Sequence, residues 1–136
     1  MKYIVCLLLF VSIDALAQTD SKIYDIIQNV SAERIKKDVK TLADFGTRHT
    51  LSDTVSNIRG IGAARRWIKS EFETISKDCN GCLEVFYQKN LVKKGENNRI
   101  TKDVWVTNVV AVQRGSKYPN RYIIMSGDID SRVSDP

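Results

Sequence analysis

The chain has 136 residues, of which 43% are hydrophobic and 27% are charged. These values are typical of one globular domain, and they exclude collagen-like, coiled-coil and strongly disordered chains as well as a multi-domain enzyme. The net charge is +5, from 21 lysines and arginines against 16 acidic residues, and the chain has a single histidine. A mechanism that needs several histidines therefore cannot be complete within these residues.

Residues 1–17 have the pattern of a secretory signal peptide. Lys2 precedes an uncharged apolar stretch of eleven residues, 3–13, and an Ala-x-Ala sequence ends at Ala17. The alternative is a membrane anchor, but these eleven residues reach only about 16 Å as a helix, against a hydrocarbon core of roughly 30 Å. We expect cleavage after Ala17, export to the periplasm, cell surface or extracellular space, and a folded domain over residues 18–136.

Two helices are predicted in the first half of this domain. A brief helical turn is expected at 23–27, and Ser31 and Gly46 are the expected N-cap and C-cap of the first helix. The second helix is expected from about Ile58 to Ser76. Apolar residues recur at helical spacing and give each helix one apolar face. These faces consist of Ile35, Val39, Leu42 and Ala43 in the first helix, and Ile61, Ala64, Ile68, Phe72 and Ile75 in the second.

Cys79 and Cys82 flank an Asn-Gly pair, which is a strong turn signal. A four-residue turn brings its end Cα atoms within about 7 Å, a separation that a disulfide tolerates. In an exported chain this favours a structural disulfide that pins a turn. A thioredoxin-like redox pair is the alternative, but it needs the first cysteine at a helix N-terminus after a strand. Here the pair follows a helix and precedes a strand.

Three strands are predicted after the helices, at Leu83–Gln88, Val104–Gln113 and Tyr122–Met125. The first has mixed alternation and reads as an edge strand. The last is a short continuous apolar run, which is typical of a strand in the middle of a sheet. The predicted fold class is therefore α/β, with two N-terminal helices and three strands of a mixed sheet.

The basic residues are scattered along the chain rather than clustered. They are not interleaved with aromatic residues, so nothing indicates binding to nucleic acid. We expect them to lie on solvated polar faces and in one loop. No apolar run after residue 17 is long enough to span a membrane. The basic residues in question are Lys36, Lys37, Lys40, Arg65, Arg66, Lys93, Lys94, Arg99 and Lys102.

Asp128 and Asp130 follow the third predicted strand. Ligands of open α/β sheets bind at the carboxyl ends of the strands. In extended backbone both carboxylates point to one side, and two like charges so close favour a bound cation or a shared proton. A metal site is one interpretation, and a polar loop in which Asp130 or Asp135 caps the next element is the other.

Two other metal templates fit this segment poorly. A helix-loop-helix calcium loop requires Asp or Asn and then Gly where Arg132 and Val133 stand. Phosphatases with an aspartate nucleophile usually carry Thr or Val at the position of Arg132, and their first aspartate follows the strand directly. Here Ser126 and Gly127 intervene.

Four segments in order resemble the N-terminal part of peptidase family M-28, the secreted di-zinc aminopeptidases. They are Thr41–Thr50 with its F-G-T-R sequence, Gly60–Ile68, Thr107–Ala111 and Ser126–Arg132. The family pattern is a helix ending in F-G-T/S-R, a helix opening with G-x-x-A-A, a strand with T-N-V-V-A and a strand leading into G-H-x-D-S-R. No single segment is specific, but their order over residues 41–132 is.

This resemblance implies the zinc-exopeptidase, phosphorylase/hydrolase-like fold, here incomplete, and two zinc ions in the complete enzyme. Asp128 stands at the position of the family's histidine ligand. A carboxylate can bind zinc, although it brings negative charge and removes the imidazole ring. Asp130 matches the aspartate that orients this histidine. The single histidine, His49, lies in the inter-helix loop and does not replace the missing ligand by motif.

The resemblance implies that the chain is an N-terminal fragment of a secreted zinc-dependent aminopeptidase acting on peptides. In the family, most metal ligands and the general base lie beyond the position of Pro136. We therefore expect no catalytic residue within the chain, no activity of the chain alone and no tight zinc binding by it. The alternative is a non-catalytic secreted domain that binds a partner through a peptidase-like scaffold.

Overall fold

The computed structural model describes residues 20–131. Three helices precede two strands along these residues, which confirms a mixed α/β class. No described helix is long and apolar enough to cross a bilayer. The predicted signal peptide, residues 1–17, lies outside the described residues. The elements are α1 (Ser21–Gln28), α2 (Ala32–Asp44), α3 (Gly60–Asp78), β1 (Glu84–Val92) and β2 (Val104–Val112).

The chain divides into two compact units between Arg34 and Ile35. In the first unit, the Asp20 carboxylate accepts a hydrogen bond of 2.9 Å from the N–H of Lys22 and so caps α1. The Ser31 hydroxyl accepts a bond of 3.2 Å from the N–H of Arg34, which confirms the predicted N-cap of α2. Both caps satisfy amides that have no partner within the helix. The predicted helical turn at 23–27 is thus part of a longer helix, α1.

In the second unit, α2 ends at Asp44 close to the predicted C-cap. The N–H of Gly46 donates to the Ala43 carbonyl at 2.9 Å. Phe45 then packs against Trp67 of α3, with the ring centroids 6.2 Å apart. This aromatic contact joins the end of α2 to α3.

The start of α3 lies close to the backbone of the preceding loop. Its first three amides donate to the Phe45 carbonyl at 2.9 Å, the Ser52 hydroxyl at 3.0 Å and the Asp53 carbonyl at 3.0 Å. Arg59, which precedes the helix, makes no side-chain cap. The loop before α3 therefore satisfies the amides that a capping side chain would otherwise serve.

Glycine makes this approach sterically feasible at two positions. Gly60 has φ +76°, and a Cβ there would overlap the carbonyl of Asp53. A Cβ at Gly62 would overlap the carbonyl of Thr54. The described apolar core lies beside this contact and is small, since it consists of Ile61, Ala63, Ala64 and Val104.

The turn after α3 confirms the predicted disulfide. Cys79 and Cys82 are bonded, with their Cα atoms 5.5 Å apart. Asn80 and Gly81 both have positive φ, 57° and 82°, as an Asn-Gly turn requires. The Ser76 hydroxyl donates to the Leu83 carbonyl at 2.8 Å and accepts from its N–H at 3.3 Å, which ties the end of α3 to the start of β1.

β1 and β2 pair antiparallel over their whole length, from Glu84 opposite Val112 to Val92 opposite Val104. α3 packs against both strands. The polar connection between the strands is held by Asp103, whose carboxylate binds the Lys93 ammonium at 2.8 Å and the N–H of Lys94 at 3.0 Å. This interaction lowers the pKa of Asp103, chiefly through the hydrogen bond from Lys93.

The third predicted strand is not formed among residues 20–131, and the described sheet is antiparallel rather than mixed. Residues 122–125 make no backbone hydrogen bond to another described residue, and their side chains are 79–94% exposed. A strand needs a neighbour that satisfies its N–H and C=O groups. The apolar run shows that these residues suit a buried strand. It does not show which neighbouring strand would pair with them, and none does so among residues 20–131.

Replacing Gly62 with Ala is expected to lower the free energy of unfolding by about 1 kcal/mol. Helix propensity alone favours Ala by about 1 kcal/mol, but forcing a methyl group against the Thr54 carbonyl costs about 1–3 kcal/mol. Urea unfolding of the full chain followed by tryptophan fluorescence measures the difference. Gly115→Ala is the control, because its added Cβ lies 3.7 Å from the nearest atom. A Gly62→Ala variant at least as stable as this control would contradict the steric argument.

The double variant Cys79→Ser, Cys82→Ser is expected to lose about 2 kcal/mol of stability, the chain-entropy value for so short a loop. Thiol labelling of the denatured wild-type chain should leave these two cysteines unlabelled. Dithiothreitol provides the control, since it should lower the unfolding midpoint of the wild type and not that of the double variant. Labelling of both cysteines without reductant would disprove the bond.

Candidate functional site

Arg48 joins two segments of the second unit that are far apart in sequence. Its Nε donates to the carbonyl of Ile129 at 2.9 Å. Its backbone N–H donates to the Ser131 hydroxyl at 2.8 Å, and its carbonyl accepts from the N–H of Ser131 at 3.4 Å. The F-G-T-R corner after α2 therefore fixes the segment that carries Asp128 and Asp130.

The same guanidinium also closes the end of α2. Nη1 of Arg48 donates to the carbonyls of Leu42 and Gly46, the latter at 3.2 Å. The last carbonyls of a helix have no partner within it and attract a positive charge. One planar side chain thus bridges the end of α2 and residues 129–131, a task that suits the fixed fork of an arginine.

Asp128 and Asp130 lie on either side of the anchored Ile129 and are both exposed. Neither carboxylate has a hydrogen bond or ion pair to another residue between 20 and 131. No group of three or more His, Cys, Asp and Glu side chains that could hold a metal ion occurs in this described range. A zinc site uses three or four protein ligands. The described residues alone therefore do not fit a complete zinc site.

His49 is occupied locally rather than with these carboxylates. Its Nδ1 accepts a hydrogen bond of 3.2 Å from the N–H of Leu51, two residues later. This bond helps to shape the loop between α2 and α3.

The same loop is braced by Asp53. Its Oδ1 accepts from the N–H groups of Val55 at 2.8 Å and Ser56 at 2.9 Å, and its Oδ2 lies 3.5 Å from Nε of Arg59. The bond from Ser56, followed by that from Val55, lowers the pKa of the Asp53 carboxyl group. The charged form of Asp53 is therefore the form that stabilises this loop.

Arg66 braces the loop from the helix side. Its guanidinium donates to the carbonyls of Thr54, Val55 and Ser56, the first two at 3.1 Å. Three carbonyls that would otherwise face solvent at the loop are bound by one side chain. The loop is consequently held at both the start and the second turn of α3.

The expectation that the basic residues mostly lie on solvated faces does not hold for Arg65, which is 8% exposed. Its helix is drawn against the loop and the sheet, and position 65 follows buried Ile61 by four residues. Residues spaced by four share a helix face. That spacing was visible in the sequence and predicts a buried position. Because Arg65 is charged, it was assigned to the solvated surface instead.

The sequence places Arg48 within the F-G-T-R motif but indicates no role for its side chain. Its structural role depends on contacts with Ile129 and Ser131, which lie 81 and 83 positions later in the sequence. This role becomes visible only when the end of α2 and residues 129–131 are seen side by side in the folded chain. No local sequence pattern encodes it.

Comparison with known proteins finds similarity to fungal proteins named probable zinc metalloproteases. One from Pyrenophora teres f. teres is 38% identical over 117 residues, which cover 86% of this chain and 25% of that protein. A second from the same fungus is 41% identical over 116 residues, covering 85% of this chain and 24% of the relative. One from Pyrenophora tritici-repentis is 37% identical over 117 residues, 86% of this chain and 27% of that protein.

The chain thus spans about a quarter of the length of these curated relatives. It is homologous to one part of each of them. No protein-family model matches the chain, and no solved structure matches it either.

Replacing Arg48 with Met is expected to loosen residues 129–131 while leaving α3 and the sheet intact. Hydrogen bonds from a charged group contribute about 1.5 kcal/mol or more each, so amide exchange at Ser131 should accelerate about tenfold or more. Hydrogen exchange followed by NMR measures this rate. Arg48→Lys should give an intermediate result, because an ammonium group cannot reproduce the planar fork.

Arg99→Met is the matched control for Arg48→Met, since Arg99 is an exposed arginine of the connection between the strands. Its exchange rate at Ser131 should equal that of the wild type. Equal rates in the Arg48→Met and Arg99→Met variants would show that Arg48 does not anchor the segment.

Proposed function

We propose that this chain is part of a secreted zinc metallopeptidase of the M-28 kind, an aminopeptidase that removes residues from the N-termini of peptides. The observation that carries the proposal is the Arg48 tie. It brings together the F-G-T-R and D-x-D-S segments, which are the motifs of the resemblance. The similarity to proteins named probable zinc metalloproteases supports the same conclusion.

In this proposal the chain supplies scaffold and one metal-binding position. Asp128 stands where the family has a histidine ligand, and Asp130 stands beside it on the anchored segment. The remaining ligands of two zinc ions and the general base belong to other parts of the parent protein. The basis for this assignment is that the chain corresponds to about a quarter of its relatives, and that a zinc site needs at least three protein ligands.

The proposal also includes export. Residues 1–17 have the composition of a signal peptide. The Cys79–Cys82 bond is compatible with an oxidising compartment, where structural disulfides persist. Extracellular or periplasmic peptides are accordingly the proposed substrates.

The test compares the 136-residue chain with the product of the same reading frame, which we expect to continue past codon 136. A panel of fluorogenic amino-acid amides, with zinc added, measures turnover, and mass spectrometry of the dialysed proteins measures zinc. The short chain is expected to show neither turnover nor stoichiometric zinc. The longer product is expected to show both, and to reject N-acetylated amides because an aminopeptidase requires a free amine.

Asp128→Asn in the longer product should lower both zinc content and turnover, whereas Asp25→Asn in α1 should change neither. Turnover by the short chain would contradict the assignment of the missing groups to other parts of the protein. A stop codon after codon 136 with no peptidase sequence in any frame would contradict the proposal as a whole and favour a non-catalytic binding domain.

A further inference from the structure

A cationic cavity lies beside α3, and its lining does not include Asp128 or Asp130. It has a volume of about 690 Å³ and is bounded by α3, both strands and the loop of residues 50–54. Four basic residues and one acidic residue line it. This excess of positive charge marks the cavity as a place for an anion. The charged lining residues are Arg65, Arg66, Lys89, Lys102 and Asp103.

Arg65 is the unusual member of this lining because it is buried. The residue is 8% exposed. Its Nε, like that of Arg66, is inaccessible to solvent and makes no hydrogen bond. No carboxylate within residues 20–131 forms an ion pair with its guanidinium. Burial lowers the pKa of Arg65. A buried charge without a partner is costly, so the site is incomplete as it stands.

Two neighbouring charged groups of the lining, Arg66 and Asp103, already have hydrogen-bond partners. Arg66 donates to the loop carbonyls of Thr54, Val55 and Ser56. The Asp103 carboxylate, the one acid in the cavity lining, is bound by Lys93 and by the N–H of Lys94. Among the described lining residues, no carboxylate is therefore left to pair with Arg65. Tyr87, which also lines the cavity, favours its charged form but supplies no carboxylate.

Hydroxyl groups complete the chemistry of the cavity. Thr50, Ser52 and Thr107 also line it. The Ser52 oxygen accepts a hydrogen bond from the N–H of Ile61 at 3.0 Å, which leaves its own proton to donate. A guanidinium fork with hydroxyl donors nearby is suited to the two oxygens of a carboxylate.

We propose that this cavity binds a carboxylate group through Arg65. One carboxylate carries the single negative charge that the unpartnered guanidinium requires, and the volume is within the range of small-molecule sites. The carboxylate comes either from a free organic acid or from an aspartate or glutamate elsewhere in the parent protein. The proposal goes beyond the peptidase function, because it involves neither Asp128 nor Asp130 and needs no zinc.

Acetate is the probe for this site. Titration of the full 136-residue chain with sodium acetate, followed by amide NMR, should give saturable shifts at residues of the cavity lining. Sodium chloride at equal ionic strength should not. Arg65→Met should weaken acetate binding about tenfold or more, because it removes charge-assisted hydrogen bonds, and Arg65→Lys should weaken it less. Arg99→Met, which changes an exposed arginine, should bind as the wild type does.

Thermal unfolding provides a second and independent test of the carboxylate site. In chloride, Arg65→Met should unfold at the same temperature as the wild type or higher, because it removes an unpaired buried charge. In acetate the wild type should gain stability and Arg65→Met should not. A lower midpoint of Arg65→Met in chloride, non-saturable shifts in acetate, or equal acetate affinity of the two proteins would each overturn the proposal.

The two sources of the carboxylate are separated by the longer product of the reading frame. If the short chain binds acetate and the longer protein does not, the carboxylate is a side chain of the parent. If both bind acetate, the ligand is a free acid. Absence of any longer product would refute the peptidase proposal but leave acetate binding by the short chain fully measurable.

Discussion

The close approach of a loop to the start of α3 is the constraint on which the second unit depends. Gly60 and Gly62 lack side chains, so the carbonyls of Asp53 and Thr54 lie where a Cβ would be. The loop then satisfies the first amides of the helix without a capping side chain. Because the position of α3 is set in this way, Ile61 and Ala64 are buried and Arg65 is drawn into the interior with them.

The same constraint extends to the two aspartates through backbone contacts. The N–H of Gly60 binds the carbonyl of Phe45, three residues before Arg48. Arg48 in turn holds Ile129 and Ser131. The glycine contact, the F-G-T-R corner and the D-x-D-S segment are thus mechanically connected. In the proposed metallopeptidase, this connection would hold the segment that carries Asp128 and Asp130 in a defined position.

Local signals in the sequence were sufficient for most of the secondary structure. Ser31 and Gly46 marked the ends of a helix, the Asn80-Gly81 pair marked a turn closed by a disulfide, and the apolar run from Val104 marked a strand. The third strand failed because strand formation requires a partner, and Tyr122–Met125 has none among residues 20–131. The site was predicted only in part. Asp128 and Asp130 were singled out by type and spacing, and their role stays a prediction. The helical spacing of Arg65 from buried Ile61 was visible in the sequence, whereas the contacts of Arg48 with Ile129 and Ser131 depend on the tertiary structure.

The sequence by itself determined the chemistry available to this protein. It specified two carboxylates one residue apart, one histidine, a disulfide pair and an ordered set of peptidase-like motifs, because these depend on residue identity and short-range spacing. Tertiary structure alone decided which charges are solvated and which are buried. Arg65 and Arg66 are neighbours in sequence. Arg66 binds three loop carbonyls, whereas Arg65 is buried and forms no ion pair with a residue between 20 and 131. The reason is physical: successive residues on a helix point about 100° apart, so only the packing of α3 against the loop and sheet decides the environment of each.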